Sequence, residues 1–215
     1  MSMTQTNLIA RIEEFYIRGD VTDTVWQFYL DFALEEAEKK FIFRDLKTLA
    51  SYTLSANTNS ITLNANWRAL YYVYYLDSAS NQIKVTPRPL DEFERELISG
   101  SNGTGTPRIY TIWGNTLLFE PYADVAYSIR TREARYSGTP FTTGNSGTTT
   151  STIPRLDLYL IRFAAGMAYQ AKGLKDIADE NFQSAALYLR EAVSAGTAEH
   201  IESVGIGSGG YEMSR

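Results

Sequence analysis

The chain has 215 residues, of which 44% are hydrophobic and 21% charged, which suits a folded domain with an insertion or two small domains. Its formal net charge of −5 argues against a sequence-independent DNA-binding protein, because such proteins need excess lysine and arginine to displace counterions. It contains no cysteine, which excludes disulfides, thiolate catalysis and the cysteine-ligated zinc sites.

Two helices are predicted at the start of the chain. Apolar residues recur at helical spacing from about Thr6 to Arg18, and Gly19 stands where a helix is expected to end. Asp20 or Thr22 can cap the second helix. The predicted inward face of the second helix comprises Val25, Tyr29, Phe32, Ala33, Ala37 and Phe41.

The pattern changes to period two from Ser51 onwards, which predicts strands in "SYTLSANTNSITLN", "WRALYYVYYLD" and "NQIKVTP". A short helix follows from Pro89 to Ser99. The segment "TPRIYTIWGNTLLFEP" then predicts a hairpin that turns at Gly114-Asn115. Alternation from Val125 to Tyr136 predicts a further antiparallel strand.

Helical periodicity returns after a low-complexity loop from Ser137 to Thr152, and a loop of that length is usually functional or disordered. One helix is predicted from Leu156, ending before Gly173, and another from about Asp176 to Ala195. The stretch from Leu156 to Ala171 contains Asp157 and Arg162, so it is too short and too charged to span a bilayer. No secretion signal is recognised at the N-terminus, and no membrane association is expected.

These elements predict an α+β fold in which N-terminal and C-terminal helices form one bundle and an antiparallel β-rich region is inserted between them. The expected divisions are residues 1–50 and 154–196 for the bundle, residues 51–153 for the insertion, and residues 197–215 for a flexible tail.

A search for catalytic groups yields little. The single histidine, His200, lies in the predicted tail, where no partner would hold its imidazole. The acidic clusters Glu35–Glu38 and Asp91–Glu96 lie beside lysine or arginine and are expected on solvated helix faces. Neither "GSNGTG" nor "GIGSGG" has the context of a phosphate-binding loop. We therefore expect no enzyme activity, no cofactor and no metal site.

Two features favour binding to other macromolecules. Arg130 and Arg132 share one strand face, where they suit phosphate or an acidic partner, or else the polar outer face of a sheet. In "YYVYY", alternation sends Tyr72 and Tyr74 to the face opposite Tyr71 and Tyr75, so one set is expected in the core and the other at an interface.

The order of these pieces resembles the adaptor, or head–tail connector, proteins of short-tailed phages. The pieces that carry the resemblance are "VTDTVWQFYLDFALEEAEKKF", "LNANWRALYYVYY", "VTPRPLDEFER", "PRIYTIWGNTLLFEPYAD" and "IPRLDLYLIRFAAGMAYQAKGLKDIADENFQSA". The long loop and the glycine-rich tail depart from the pattern of the family.

The resemblance implies a non-enzymatic protein of the virion, made in the host cytoplasm and placed at the head–tail junction. It implies a homo-oligomeric ring, usually of about twelve copies, that contacts the portal protein and a tail or nozzle protein. Genomic DNA would pass through the lumen without specific binding. The candidate interface residues are Trp67, Tyr72, Tyr74, Trp113, Arg130, Arg132, Ile201, Val204, Ile206, Tyr211 and Met213.

Two alternatives remain open at this stage. A carbohydrate-binding virion or surface module could use Trp67 and Tyr71 to Tyr75 as a stacking platform. A carboxylate glycosidase would need two acids facing each other across a cleft. For the tail, we expect apolar residues spaced along a flexible segment to anchor on the portal or on a neighbouring subunit.

Overall fold

The computed structural model describes residues 3–16, 20–77, 79–99, 103–143, 149–150, 153, 155–200 and 211–212. The fold is α+β and divides into two compact units. The helical unit comprises Met1–Leu46 and Tyr136–Val204, and the sheet unit comprises Lys47–Arg135 and Gly205–Arg215.

Six α-helices lie within the described residues: α1 (Gln5–Phe15), α2 (Asp23–Lys40), α3 (Leu90–Ser99), α4 (Pro140–Thr143), α5 (Asp157–Ala171) and α6 (Lys175–Ala192). The strands are β1 (Phe41–Phe43), β2 (Lys47–Leu54), β3 (Ser60–Thr62), β4 (Trp67–Leu76), β5 (Gln82–Pro87), β6 (Thr104–Gly105), β7 (Ile109–Trp113), β8 (Thr116–Glu120), β9 (Tyr122–Ala123), β10 (Tyr127–Arg135), β11 (Ala198–His200) and β12 (Tyr211–Glu212).

The helical unit is built around one apolar core to which α1, α2, α5 and α6 all contribute. Its largest fully buried side chains include Leu8, Ile12, Tyr16, Trp26, Leu30, Leu34, Phe43 and Phe141. Helix α5 is rich in alanine, so α1, α2 and α6 can all approach it closely. The N-terminal and C-terminal parts of the chain therefore meet in the same core.

The predicted inward face of α2 is correct at Ala33 and Ala37, which are fully buried, but wrong in the first turns of the helix. Trp26 and Leu30 are fully buried, whereas Val25 is exposed and Tyr29 is only partly buried. Phe28 is also exposed. Helix α2 carries apolar residues on most of its circumference, so its periodicity is compatible with more than one buried face. Burial of the large indole of Trp26 selects the face that packs into the core.

A close approach between α5 and α6 occurs at Gly166. A Cβ atom at this position would lie 2.7 Å from Cε1 and 2.9 Å from Cδ1 of Phe182. We expect Gly166→Ala to lower the free energy of unfolding by about 1 kcal/mol, because overpacking outweighs the gain in helix propensity. Urea denaturation followed by circular dichroism measures the change.

The matched control for Gly166 combines Gly166→Ala with Phe182→Leu. The smaller side chain removes the clash, so the double variant should be more stable than the sum of the two single changes predicts. Strict additivity of the two single changes would show that the contact between Gly166 and Phe182 does not limit the approach of the helices.

The sheet unit contains a large sheet with the strand order β2-β10-β4-β5-β7-β8-β3. Its pairings are antiparallel except for a short parallel pairing between β5 and β7, and β6 and β9 form a separate parallel pair. The fully buried members of its core are Leu54, Leu70, Val73, Val85, Leu117, Phe119, Ala123 and Ile129. Alternation buries one face of β2, β3 and β8, whereas β4 is buried on both faces over much of its length.

The predicted hairpin is confirmed as β7 and β8. Trp113 lies opposite Thr116 across the turn, and Gly114 adopts a positive φ of 58°, which glycine accommodates without steric cost. The Nδ2 atom of Asn115 donates to the carbonyl oxygen of Leu63 at 3.1 Å, and this bond ties the turn to the segment that follows β3.

Two segments that were expected to lack structure contain regular elements. Within the low-complexity loop, residues 140–143 form α4. In the predicted tail, β11 pairs antiparallel with β1, so that His200 lies opposite Phe41. Residues 211 and 212 form β12, which pairs with Leu70 and Ala69 of β4. The candidates Ile201, Val204, Ile206 and Met213 lie outside the described residues.

Candidate interaction surfaces

One face of the large sheet collects most of the predicted interface residues. Tyr72 lies opposite Arg132 and Tyr74 lies opposite Arg130, while Lys84 lies opposite Tyr74 on its other side. Strand β2 pairs with the other edge of β10, so that Leu49 lies opposite Arg132 and Ser51 lies opposite Arg130. Lys47 is on the same side of β2 as these two residues. We call this surface the tyrosine–arginine face; it comprises Lys47, Leu49, Ser51, Tyr72, Tyr74, Lys84, Arg130 and Arg132.

The tyrosines on this face are engaged within the chain. The rings of Tyr72 and Tyr74 are 5.9 Å apart, and Tyr74 is only 8% exposed. Tyr71 lies at the register shift between Tyr72 and Leu70 in the pairing of β4 with β10, so the predicted alternation that set it on the face opposite Tyr72 is broken there. Nζ of Lys47 lies 4.6 Å from the ring centroid of Tyr71 in a cation–π contact. The phenol rings therefore support the side chains around them and leave little free ring surface for a ligand.

The charges on this face have one sign. Lys84 and Arg132 are exposed, whereas Lys47 and Arg130 are half-buried. None of the eight positions, all within the described residues, carries aspartate or glutamate. Leu49, at 61% exposure, adds an apolar contact area at the edge strand. The face is therefore a basic surface on an acidic protein.

Trp67 does not belong to an exposed platform. It is 2% exposed and is part of the core of the sheet unit. The sequence did not reveal this because tryptophan at the start of a strand suits either a core or an interface. Burial of Trp67 and of Tyr74 takes two rings out of the platform expected for a carbohydrate-binding module, while Tyr71 and Tyr72 are partly exposed.

Trp113 is placed differently from the other candidates. It is 62% exposed at the turn of the β7–β8 hairpin, on the strand face opposite Tyr110. Tyr110 and Phe119, in contrast, are buried in the core beneath. The hairpin therefore presents a large apolar side chain at its tip on a fixed backbone.

Helix α3 is strongly amphipathic and contacts β7. Phe93 is buried, while Asp91 and Glu94 are exposed. The helix carries four acidic side chains and one basic one, for a formal charge of −3. Its outer face is thus an acidic surface of the sheet unit, as the sequence predicted.

Glu120, at the end of β8, is influenced by the same acidic helix. Burial raises its pKa above the ordinary value of 4.5, and the nearby carboxylate of Glu96 raises it further. Because the pKa of Glu120 is higher in the folded chain than in the unfolded chain, its protonated carboxyl favours folding at a pH below the ordinary pKa. This contribution is lost as the pH rises through the pKa of the folded chain.

Glu120→Gln should therefore raise the free energy of unfolding at neutral pH, and the difference from the parent chain should disappear as the pH falls towards 4.5. Denaturant titrations at several pH values measure it. Glu94→Gln, at an exposed position on α3, is the matched control for the change from acid to amide. If the stability difference between Glu120→Gln and the parent chain did not change with pH, the charged carboxylate of Glu120 would not be the group that destabilises the fold.

A buried ionic network on the core side of β10 was not predicted. Glu133 is fully buried and accepts hydrogen bonds from the Thr131 hydroxyl at 2.9 Å and the Tyr52 hydroxyl at 3.1 Å. Nε of Arg135 lies 2.6 Å from its Oε1. A register shift in the pairing of β10 and β4 lies between Arg132 and Glu133. In the sequence, Glu133 is an acid in an alternating strand. Exposed strand positions show the same pattern, so the sequence could not reveal its burial.

Helix α2 carries two further buried carboxylates. Asp31 accepts hydrogen bonds from the backbone N–H groups of Phe141 and Thr142 at 2.9 and 2.8 Å. Glu38 is only 2% exposed and accepts from the N–H of Ser137 at 3.2 Å. The expectation that Glu38 lies on a solvated face is therefore wrong. Its carboxylate accepts a hydrogen bond from the backbone of the loop that follows β10.

An apolar cleft of about 530 Å³ opens on the helical unit between α2, α5 and α6. Phe32, Phe163, Phe182 and Leu189 line it, and Glu36 and Lys40 stand at its polar side. Tyr159 also lines the cleft, and its hydroxyl donates to the carbonyl oxygen of Ala33 at 2.9 Å. Burial raises the pKa of Tyr159, which keeps the phenol neutral.

The described part of the chain contains no group of three or more acidic or histidine side chains that could hold a metal ion. Within the same residues, no helix has the length and apolar character needed to cross a membrane.

Comparison with known families matches residues 3–201 to the model described as SU10 adaptor protein. The chain belongs to the SU10 adaptor protein family. The match spans helices and strands of both compact units, and it confirms the resemblance to phage adaptor proteins that the sequence predicted. Comparison with curated proteins found no significant match.

Membership of the SU10 adaptor protein family establishes a phage structural adaptor role and makes the chain a component of the virion. The family is non-enzymatic in general. An adaptor of this family interacts with other virion proteins.

Proposed function

We propose that the chain forms a ring that joins the capsid portal to the tail and extends the channel for DNA. The family match over residues 3–201 is the observation that carries this proposal. A ring of about twelve copies, as in short-tailed phages, would place the portal protein on one side and a tail or nozzle protein on the other.

The helices at the two ends of the chain would form the bundle of each subunit, with the β-rich region inserted between them in sequence. The shared core of α1, α2, α5 and α6 supports this part of the proposal. The candidate interface residues that remain accessible, above all Trp113 and Arg132, would contact neighbouring subunits or the tail.

The DNA would slide past the ring without specific binding. Twelve copies of a chain with a net charge of −5 give the ring a charge of about −60, which limits adhesion of phosphate wherever those charges face the lumen. The engaged rings of Tyr72 and Tyr74 leave little surface on which bases could stack.

The segment from Thr197 to Arg215 would attach the ring to the portal or to an adjacent subunit. The pairing of β12 with β4 supports the idea that this segment adds strands to a sheet, and its apolar residues are spaced as anchors for an extended peptide. Removing residues 204–215 should then weaken docking to the portal.

Electron microscopy and native mass spectrometry of the purified chain, alone and mixed with assembled portal, test the proposal. We expect closed rings with an axial channel, and rings stacked coaxially on the portal in the mixture. The variant that ends at residue 203 should form the same rings but bind the portal more weakly. A chain that remains monomeric and does not bind the portal would refute the proposed function.

A further inference from the structure

We propose that the tyrosine–arginine face of one subunit binds the acidic outer face of α3 of the next subunit. This inference rests on the proposed function, because a ring built head to tail needs two different and complementary surfaces on each copy. The sheet unit supplies both surfaces, one basic and one acidic.

Charge complementarity indicates that the partner of the tyrosine–arginine face is a second copy of the chain. The tyrosine–arginine face carries four cations, so the remainder of a chain with net charge −5 carries a formal charge of −9. The rest of a second copy is therefore acidic on balance, with 25 acidic residues against 16 basic ones. Helix α3 has a formal charge of −3, and its exposed Asp91 and Glu94 project away from the buried Phe93.

The spacing of the charges is compatible with a helix lying across the strands. Arg130 and Arg132 are alternate residues of one strand, about 7 Å apart, and Lys84 lies two strands away from Arg130, about 10 Å. On α3, Asp91 and Glu94 are neighbours about 5 to 6 Å apart on the helix surface. The arginine guanidinium groups can each bind a carboxylate through two N–H donors.

Intramolecular ion pairs leave the outer acids of α3 accessible. The guanidinium contacts of this helix join exposed side chains: Nη2 of Arg95 lies 3.4 Å from Oδ2 of Asp91, and Arg88 lies 3.7 Å from Glu92 and 3.8 Å from Glu96. Exposed pairs of this kind contribute little energy, so a partner surface can replace them at small cost. Leu49, exposed on the tyrosine–arginine face, adds apolar area to the contact.

Nucleic acid fits this face less well than a second copy. Non-specific single-strand binding combines basic grooves with aromatic rings on which bases stack, but Tyr74 is almost fully buried and its ring packs against Tyr72. The overall acidity of the chain also repels phosphate at longer range.

A charge-swap experiment tests the contact. One variant carries Lys84→Glu and Arg132→Glu, and the other carries Asp91→Lys and Glu94→Lys; all four positions are exposed, so the fold should persist. Each variant alone should show at least a tenfold loss of rings in native mass spectrometry, because like charges then face each other. Circular dichroism confirms that each variant is folded.

The decisive measurement is the equimolar mixture of the two variants. Reversed faces then meet reversed helices, and unreversed faces meet unreversed helices, so alternating rings with an even number of subunits should form again. A single chain with all four changes should also assemble. Rings of the parent chain should weaken as salt is raised, because exposed charges are screened.

A matched control reverses two acids at the same spacing on another helix. Asp176→Lys and Asp179→Lys on α6 change the net charge as much as the α3 variant does. This variant should form rings on its own. When it is mixed with the Lys84→Glu/Arg132→Glu variant, the rings should contain the control chain alone, and the Lys84→Glu/Arg132→Glu chain should stay outside them. Restoration by this control would overturn the proposal, because net charge alone would then explain the rescue.

The other outcomes separate this inference from the proposed function. If the parent chain forms rings and both reversed variants do so equally well, the contact is refuted while the ring stands. If the parent chain forms no ring even with portal, both are refuted. If Lys84→Glu/Arg132→Glu assembles normally but loses binding of a short DNA duplex measured by fluorescence anisotropy, the face is a nucleic-acid surface and the proposal is overturned.

Discussion

Replacing Glu133 with alanine should lower the free energy of unfolding by about 3 kcal/mol, because it removes the acceptor from a buried ionic network. Glu133 is fully buried and receives hydrogen bonds from the side chains of Thr131, Tyr52 and Asn64. Arg135 completes the network at 2.6 Å. Without the carboxylate, several donors on the core side of the sheet lose their partner, and the arginine loses its counter-charge.

Denaturant unfolding monitored by circular dichroism measures this loss, and two variants calibrate it. Tyr52→Phe removes one hydroxyl donor and should cost about 1 kcal/mol. Glu133→Gln keeps the shape but not the charge, and should fall between the two. A Glu133→Ala variant as stable as the parent chain would show that the network contributes no net stability to the sheet unit.

Replacing Asp31 with alanine should destabilise the helical unit by about 2 kcal/mol. The carboxylate accepts from the N–H groups of Phe141 and Thr142 and from the Thr142 hydroxyl, and Asp31 is 5% exposed. The substitution leaves buried backbone donors at the start of α4 without an acceptor, which costs the desolvation energy of each.

The matched variant for Asp31 is Thr142→Val, which removes the hydroxyl but leaves both backbone N–H groups bonded to the carboxylate. It should cost less than half as much as Asp31→Ala. Thermal unfolding of both variants provides the comparison. Equal losses would assign the stability to the threonine hydroxyl and not to capping of α4.

Local patterns were sufficient to predict most elements of the fold. The switch from helical to alternating periodicity located the β-rich middle, and Gly114-Asn115 located a turn because few residues other than glycine tolerate a positive φ there. Alternation placed Tyr71, Val73 and Tyr75 on one face of β4 without deciding which face is the core; Val73 and Tyr75 lie in the core of the sheet unit, whereas Tyr71 does not.

Other features depend on which parts of the chain meet in three dimensions. The inward face was predicted wrongly in the first turns of α2 because this helix is apolar on several sides, so only its neighbours select Trp26 over Val25. Glu38 and Glu133 have the sequence context of solvated acids, yet both are buried where they accept hydrogen bonds from distant segments, Ser137 and Tyr52 respectively. Trp67 is likewise buried by strands that are remote in sequence.

The sequence by itself determined the fold class, the hairpin and the family, because each depends on the order and period of residues along the chain. Only the tertiary structure decided which tyrosines remain accessible, which carboxylates are buried, and that four cations lie together on one sheet face. Those outcomes depend on strand register and on contacts between segments far apart in sequence, and a shift of one residue would have reversed them.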